Sequence, residues 1–495
     1  MEVVSGTVEV IALVKKVYDR CVDYKEADKT IEDARIQLQF AKLKLELFRR
    51  YLEQNHNKVP ESNEGLVHDV LRRVGDLTHD LEEKLPSVPT VAKKLTWVGW
   101  GKRRAESLVG QLKTWNFDIK ELFFILAVIK EAEMGEFYDR LSQEGGDAQL
   151  TGTMGLNKRI KALDTAHEDL RLPPLNPSLL PLQPTTGDKF LATYGGLPVY
   201  VEVHSIDDGD NGQKTRQVQI YQLFAYTFHD SSLPATHLLS CKGILQHDSS
   251  RCYTVFDLPD RFFQASPPPS SVNAPTLSFV LEQKAHIRLE DCYRIALEAS
   301  RAVLSIHGAG WVHKNIRSDN ILVDTRADDD PKSPVIVGTA YLVGFQTTRP
   351  QLEESARHPE VDPVKRRYHH PERQGGRDTE VARFDIRHDM YSLGAVLVEI
   401  GYRHTLRELW PVHTSFSDPS YNETKYNHEM LVKHARRLSE KMGSRYAGAA
   451  MACLTATVEG HRDAAALRKE FTEKVLRPLK EIVDTLKANP FADVE

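Results

Sequence analysis

Hydrophobic residues recur at helical spacing through the first part of the chain. Three stretches place an apolar residue every three or four positions, as one face of an α-helix requires. These stripes are Val4, Val8, Ile11 and Val14; Ile36, Phe40, Leu43 and Leu47; and Leu66, Val70 and Val74. Residues 122–129 are apolar throughout, which is typical of a helix at the centre of a bundle. The pattern predicts an all-α helical bundle over residues 1–135.

A proline-rich stretch then interrupts the helical pattern. The segment LPPLNPSLLPLQPTTGD, residues 172–188, contains five prolines, which are excluded from helix interiors and central strands. We expect a semi-extended linker here, preceded by a shorter helix over residues 157–172. Residues 136–186 are therefore predicted to be a helical tether and linker. The chain of 495 residues is also too long for one core, so at least two domains are expected.

Beyond the linker, strand patterns come first and helical patterns follow. FLATYGGLPVYVEV reads as a strand, a Gly-Gly turn and a second strand. LEDCYRIALEASRAVLSIHG has the length and spacing of a long helix. The pattern predicts an α+β domain over residues 187–482.

Composition narrows the class of protein. The formal net charge of −5 argues against nucleic-acid binding, which usually requires a basic excess. The five cysteines are far apart with no C-x-x-C pair, which predicts buried thiols in a reducing compartment. The N-terminus has no basic signal-like region, and no apolar run reaches the roughly 18 residues of a spanning helix. These features predict a cytoplasmic protein at rest.

The histidines follow no zinc-binding spacing. There are 20 of them, but none forms an H-E-x-x-H pattern. His369 and His370 are adjacent and would point to opposite faces of a strand. The sequence therefore predicts no metal site.

Four segments of the second domain resemble protein-kinase motifs in the expected order. WVHKNIRSDNIL resembles the catalytic loop H-R-D-L-x-x-x-N, and AYLVGFQ the D-F-G loop. YHHPERQG resembles the A-P-E end of the activation segment, and FDIRHDMYSLGAVLVEIG the buried helix that follows. The resemblance implies a bilobal, protein-kinase-like fold.

The residues that perform phosphoryl transfer in kinases are replaced. Glu202 takes the position of the phosphate-binding lysine, in what is predicted to be the third strand. Asn315 takes that of the catalytic Asp, and an amide cannot accept a proton at neutral pH. Gly344 takes that of the metal-binding Asp and offers no oxygen ligand. Only Gly195 and Gly196 are left where a Gly-rich loop would be expected.

Other kinase-like positions are retained. His313, Phe345, Pro371, Glu372 and Asp389 match positions that maintain the kinase scaffold, and Arg317 and Asn320 remain in the catalytic loop. Residues that maintain the fold are thus retained, whereas the residues that bind phosphate, bind metal or accept a proton are replaced. The pattern indicates a pseudokinase without catalytic residues or cofactor, and it argues against ATP or Mg²⁺ binding.

The first domain resembles a fungal family. GTVEVIALVKKVYDRCVDY, ARIQLQFAKLKLELF and KKLTWVGWGKRRAESLVGQLKTWNFDIKEL are similar to the HeLo, or prion-inhibition and propagation, domain. That resemblance implies a cell-death effector whose N-terminal helix is thought to insert into membranes. The whole layout resembles fungal HeLo–kinase-like proteins and the mixed-lineage-kinase-domain-like pseudokinases of necroptosis.

Two segments are candidates for membrane contact or oligomerisation. Glu9 interrupts the first helix, and a charge near a helix centre costs about 2.5 to 3.5 kcal/mol on insertion. Insertion would therefore need several copies to shelter it; the alternative is a helix packed in its own bundle. Around residues 93–104, basic residues flank two tryptophans, which suits either lipid headgroups or a core-filling loop. The candidate residues are Val4, Val8, Glu9, Ile11, Lys93, Lys94, Trp97, Trp100, Lys102, Arg103 and Arg104.

Three functional hypotheses follow. In the first, a cell-death or heterokaryon-incompatibility-type effector, the pseudokinase restrains a bundle that oligomerises at membranes once an upstream receptor or protein activates it. Its partners would be other copies of the chain and membrane lipids, and it would move from cytoplasm to plasma membrane. The second is a signalling adaptor whose bundle serves self-association. The third is a divergent kinase with displaced catalytic groups.

Overall fold

In a computed structural model, the protein divides into two compact units, Met1–Met154 and Gly155–Glu495. The first is helical, and the second is α+β with an antiparallel sheet, as predicted. The structure describes residues 2–22, 29–54, 61–84, 105–112, 172–180, 188–206, 211–229, 236–246, 250–259, 262, 275–283, 287–326, 336–351, 362–374, 382–410, 423–456 and 464–488. The helices predicted around residues 122–129 and over 157–172 lie outside these ranges, except for residue 172, which is described and is not helical.

Four described helices form the first unit. They are α1 (Glu2–Val22), α2 (Lys29–Gln54), α3 (Glu61–Lys84) and α4 (residues 105–112). Helix α1 packs against both α2 and α3. Glu82 of α3 lies 2.8 Å from the Lys16 ammonium and 3.9 Å from the Arg20 guanidinium. The Thr30 hydroxyl at the start of α2 donates to Glu106, which ties α2 to α4.

The face of α1 that is buried differs from the predicted stripe. Val14 and Val17 are fully buried and Cys21 is nearly so, whereas Val8 is 46% exposed. The prediction that Val8 packs in the core is therefore wrong. Because 3.6 residues make a turn, the buried face that passes through Val14 and Val17 reaches Thr7 rather than Val8. The side chains of Val4 and of the predicted α2 stripe lie outside the described residues, and Val74 of α3 is buried as predicted.

The second unit begins with a four-stranded antiparallel sheet. Its strands are β1 (Lys189–Tyr194), β2 (Leu197–Ser205), β3 (Cys241–Gln246) and β4 (Arg251–Asp257), in the order β1-β2-β4-β3. Gly195 and Gly196 turn between β1 and β2 with φ of 58° and 83°, a backbone that suits a two-residue hairpin turn. Glu202 was predicted to lie in the third strand, but it lies in β2. Among the described residues of the second unit, β1 is the only strand that precedes β2.

Helices and short strand pairs complete this unit. They are α5 (Asn211–Phe228), α6 (Leu277–Glu282), α7 (Leu289–Gly308), β5 (Trp311–Val312), β6 (Ile321–Arg326), β7 (Ile336–Leu342), β8 (Arg349–Pro350), α8 (Ile386–Tyr402), α9 (Glu423–Leu454, broken at Gly443), α10 (Ala464–Phe471) and α11 (Arg477–Ala488). Helix α8 is buried along most of its length and packs against α7 and α9. We refer to residues 188–259 as the sheet half and residues 275–488 as the helical half.

The described part of the proline-rich segment is folded onto the sheet half. Residues 172–176 are extended, and Pro177–Leu179 form a short helical turn. Leu175 N–H donates to the Ile244 carbonyl at 3.4 Å, and Gly195 N–H donates to the Leu179 carbonyl at 3.0 Å. Leu180 is only 2% exposed and belongs to the hydrophobic core that fills one face of the sheet. This part of the predicted linker is thus packed on the second unit.

No helix among the described residues combines the length and the apolar character that crossing a bilayer demands. Helix α1, for example, is 21 residues long but carries charged residues along its length.

Replacing Leu180 tests whether the proline-rich segment is docked. Leu180→Ala leaves a cavity in the sheet core and should lower the free energy of unfolding by about 2 to 4 kcal/mol. Urea denaturation followed by circular dichroism measures this loss. The adjacent Leu179 is 43% exposed, so Leu179→Ala is a matched control that should change stability by less than about 1 kcal/mol. Equal effects of the two substitutions would contradict the docked arrangement.

Candidate functional site

The Glu202 carboxylate joins the sheet half to the helical half. Its side chain is fully buried and reaches the loop that contains Gly344 and Phe345. Oε1 accepts the backbone N–H of Gly344 at 2.5 Å, and Oε2 accepts that of Phe345 at 2.7 Å. Both carboxylate oxygens are therefore committed to one loop of the chain.

Burial dominates the titration of this carboxylate. Removal from water raises the pKa of Glu202 to about 7, although the N–H donors of Gly344 and Phe345 and the Lys189 ammonium oppose the shift. A carboxylate in this place repels the phosphates that a lysine would attract. Within the described residues, the position that the kinase resemblance aligns with the phosphate-binding lysine therefore holds a negative or neutral group.

Lys189 lies beside Glu202 and makes a second contact between the sheet half and the helical half. The two residues are directly opposite each other in the β1–β2 hairpin. The Lys189 ammonium donates to Asn320 Oδ1 and, at 3.4 Å, to the Asp319 carbonyl. Asn320, predicted to stand at a magnesium-ligand position, therefore receives an ammonium on the oxygen that a metal would use.

Asn315 and Gly344 close the network. Asn320 Nδ2 donates to the Asn315 carbonyl at 2.6 Å, and Asn315 Nδ2 lies 3.4 Å from the Gly344 carbonyl. Gly344 has a φ of 90°, and a Cβ built there would lie 2.4 Å from Asn320 Cγ. An Asp at position 344 would therefore need both a rare backbone conformation and the displacement of Asn320. We call Lys189, Glu202, Asn315, Asn320 and Gly344 the cleft network.

Aromatic rings pack around Phe345, the residue that follows Gly344 of the cleft network. The Phe345 ring lies 4.7 Å from Phe224 of α5, 5.6 Å from Phe256 of β4 and 5.0 Å from His313, measured between ring centroids. Burial lowers the pKa of His313 to about 4, so its ring is neutral near physiological pH. Phe345 thus packs against both halves of the unit.

Asp389 fixes the loop that precedes Asn315. This buried residue of α8 accepts the backbone N–H groups of His313 at 2.7 Å and Lys314 at 2.8 Å, and His307 Nε2 lies 3.1 Å away. Burial alone would raise the pKa of Asp389, but the hydrogen bond from His307 and the neighbouring histidines lower it below its ordinary value. Lys314 has a φ of 68°, an uncommon backbone conformation that the bond to Asp389 helps to maintain.

The remaining kinase-like residues lie around this core. Arg317 is nearly buried, and its Nε lies 3.2 Å from Asp319. Pro371 starts a short helical turn that is capped by His370, and Glu372 follows in the same turn. Helix α5 contains no acidic residue; its Gln217 side chain instead donates to the Ser205 carbonyl at 3.2 Å. The Lys–Glu pair of an active kinase therefore has no counterpart between α5 and β2.

The membrane candidates are only partly described. In α1, the Val8 and Glu9 side chains are exposed and Ile11 is half-buried. Glu9 is thus in contact with solvent in the single chain. The Trp- and Lys-rich turn lies outside the described residues, together with Lys93, Lys94, Trp97, Trp100, Lys102, Arg103 and Arg104.

No protein-family model matches the chain, and no curated protein is significantly similar to it. Function is therefore inferred from the geometry of the site.

Sequence reasoning missed Lys189. A signal for it was present, because a two-residue turn at Gly195 and Gly196 fixes the register of the hairpin. Counting outward from the turn places Lys189 opposite Glu202, five pairs beyond the Tyr194–Leu197 pair that closes the turn. The partners on the Gly344 loop could not be found this way, because they are more than 100 residues distant.

The Glu202 carboxylate should give the second unit a distinctive pH dependence. Because its folded pKa of about 7 exceeds the ordinary glutamate value of 4.5, the folded state binds more protons than the unfolded state between these values. Its contribution to stability is full below about pH 4.5 and is lost as the pH rises through about 7. The change is about 3 kcal/mol over this range.

Urea denaturation from about pH 5 to about pH 8 measures this dependence. Glu202→Gln should flatten the fall in stability, since the amide does not titrate. Glu282 is exposed at the end of α6, and Glu282→Gln is the matched control that should keep the wild-type slope. Identical slopes for wild type and Glu202→Gln would contradict this assignment.

Gly344 should tolerate no side chain. Gly344→Ala adds a Cβ at positive φ and against Asn320, so the free energy of unfolding should fall by about 2 kcal/mol or more. Gly448→Ala is a suitable control, because Gly448 is an exposed position of α9 with open space around its Cα. That control should be neutral or stabilising, as expected for Gly→Ala in a helix. A neutral Gly344→Ala in the same denaturation experiment would contradict the described packing.

Proposed function

We propose that the protein is a non-catalytic signalling effector of the cell-death type. In this proposal the second unit is a pseudokinase that restrains the helical bundle until an upstream receptor or protein acts on it. The released bundle then self-associates and perturbs the membrane. The fungal HeLo–kinase-like layout inferred from the sequence suggests this class of protein.

The cleft network is the observation that supports the proposal most strongly. Phosphoryl transfer needs a phosphate cradle, a metal ligand and a carboxylate that positions the hydroxyl. At the three corresponding positions the chain has Glu202, Gly344 and Asn315, and all three are engaged in contacts with one another or with Lys189 and Asn320. The contacts among these side chains support the proposal that the positions aligned with the nucleotide and magnesium ligands of kinases are closed.

The packed part of the proline-rich segment, residues 172–180, would couple the cleft network to the rest of the predicted tether. Residues 172–180 pack on the same sheet that contains Glu202, and Gly195 at the hairpin turn bonds to Leu179. A partner that separates the sheet half from the helical half would move the sheet, and the packed segment with it. Such coupling requires only that the partner bind the two arrangements with different affinity.

Exposure of Glu9 bears on the membrane step. An exposed Glu9 is compatible with the folded bundle, and it becomes costly only if α1 enters a lipid phase. The charge can therefore be changed with little expected effect on the resting fold. This makes position 9 a suitable probe of the membrane-active state.

Mg-ATP should not stabilise the protein. A ligand present at 100 times its Kd adds about 2.7 kcal/mol to the stability of the folded state and raises the melting temperature. We expect no change in melting temperature with millimolar Mg-ATP, because Lys189 and Glu202 fill the site. A shift that requires both magnesium and ATP would instead favour the divergent-kinase hypothesis.

Dye leakage from anionic liposomes tests the effector hypothesis on the full chain. Wild type should not release dye, whereas Glu202→Ala, which removes the contact to the Gly344 loop, should release it. Adding Glu9→Lys to Glu202→Ala should abolish leakage, because α1 would then present a lysine to the membrane. Circular dichroism of each variant verifies that the helical content is unchanged.

Two results would overturn the proposal in different ways. If Glu202→Ala self-associates in solution without releasing dye, the adaptor hypothesis replaces the membrane step. If leakage by Glu202→Ala is unaffected by Glu9→Lys, membrane perturbation does not proceed through α1.

A further inference from the structure

Two histidines and a glutamate converge at the junction of the Pro371 turn and helix α8. Glu372 Oε2 lies 3.9 Å from His370 Nδ1 and 3.6 Å from His388 Nε2. Ligand atoms of the three residues all lie within 4.8 Å of one another. Tetrahedral zinc with bonds of about 2.0 to 2.1 Å places its ligands about 3.3 Å apart, so a small contraction brings all three to bonding distance.

The environment of His388 indicates that this residue could bind a metal ion. Its side chain is 1% exposed, and among the described residues Nε2 has no hydrogen-bond partner. At 3.6 Å, Glu372 is too far away to accept a hydrogen bond from it. A buried ring nitrogen without a partner is costly, and metal coordination would satisfy it.

Asp385 lies where it can orient His388 as a metal ligand. His388 Nδ1 accepts the Asp385 backbone N–H at 2.9 Å, so the ring proton is on Nε2. If a metal binds Nε2, that proton moves to Nδ1, which lies 3.3 Å from Asp385 Oδ1. The carboxylate then orients the ring, as in many histidine–metal sites, and replaces the bond from the backbone N–H.

We propose that His370, Glu372 and His388 form a zinc site whose fourth position is open to solvent. Two imidazoles and one carboxylate are a ligand set that zinc accepts, and imidazole nitrogen disfavours magnesium and calcium. The Glu372 side chain is 48% exposed, which gives an ion access from solution. The ion would join the end of the segment before α8 to the start of α8 itself.

The surrounding charges permit a divalent cation. Arg387 is the nearest cation, but its guanidinium forms a bidentate pair with Asp385, at 3.0 Å through Nε and 2.6 Å through Nη2. It lies 3.9 Å from Glu372.

The sequence could not reveal this site. His370 and Glu372 are separated from His388 by 16 or more positions, and the spacing matches no zinc pattern. The prediction of no metal site rested on the absence of an H-E-x-x-H pattern and on the adjacency of His369 and His370. Folding brings the turn and the helix start together.

Isothermal titration of the full chain with zinc chloride tests the proposal, using tag-free protein treated with a chelator and then dialysed. Wild type should bind one zinc ion with a Kd below about 10 μM in addition to any weaker surface sites. Glu372→Gln and His370→Ala should each weaken this binding at least tenfold. His388→Asn removes Nε2 but keeps an acceptor for the Asp385 N–H, so it should abolish the site without loss of the helix cap.

His404→Ala is the matched control. His404 lies 3.6 Å from Glu408 but is exposed and belongs to no cluster of three ligands within the described residues. It should bind zinc as wild type does. The proposal is overturned if wild type has no site tighter than about 10 μM, or if Glu372→Gln and His370→Ala bind as tightly as wild type. Because Glu372 is half exposed, its variant should fold even if His388→Asn does not.

Discussion

A buried carboxylate that accepts two backbone N–H groups determines the arrangement of the second unit. Glu202 has no contact with solvent, and burial of such a group is tolerated only when its oxygens are hydrogen-bonded. Its partners belong to the Gly344 loop in the other half of the unit. Loss of either side would leave an unpaired charge or unpaired N–H groups, which costs more than the pair itself gains. The Glu202 side chain thus joins the two halves, together with the Lys189 contacts to Asn320 and Asp319 and the packing of Phe345 on Phe224 and Phe256.

The same interaction links fold to function. In the proposed pseudokinase, Lys189 and Glu202 lie at the positions that the kinase resemblance assigns to ATP and magnesium, and a Cβ at Gly344 would collide with Asn320. Under the proposed function, the cleft network would have two states, one closed by Glu202 and one opened by a partner. The packed proline-rich segment would transmit that change toward the N-terminal unit. The proposed zinc site lies elsewhere, at the start of α8, and would stabilise the helical half.

Local patterns predicted the parts of the molecule that depend on local chemistry. The Gly195–Gly196 hairpin follows from its turn residues, and the long helix α7 follows from its length and hydrophobic spacing. The buried helix α8 with Asp389 was predicted from the resemblance to kinase motifs. The buried face of α1 did not follow from the pattern, because the polar Thr7 is buried and the apolar Val8 is exposed, the reverse of what hydrophobicity favours. Contacts between distant segments, such as Glu202 to Gly344 or His370 to His388, depend on tertiary packing and are not encoded in any short motif.

Hydrogen–deuterium exchange at single-residue resolution tests the central claim most directly. In wild type, the amides of Gly344 and Phe345 should be protected, because both donate to Glu202. Glu202→Ala should speed their exchange at least tenfold, while the amide of Val343, which donates to the Asn320 carbonyl, should change less. Equal exchange of Gly344 and Phe345 in wild type and variant would show that the carboxylate does not join the two halves.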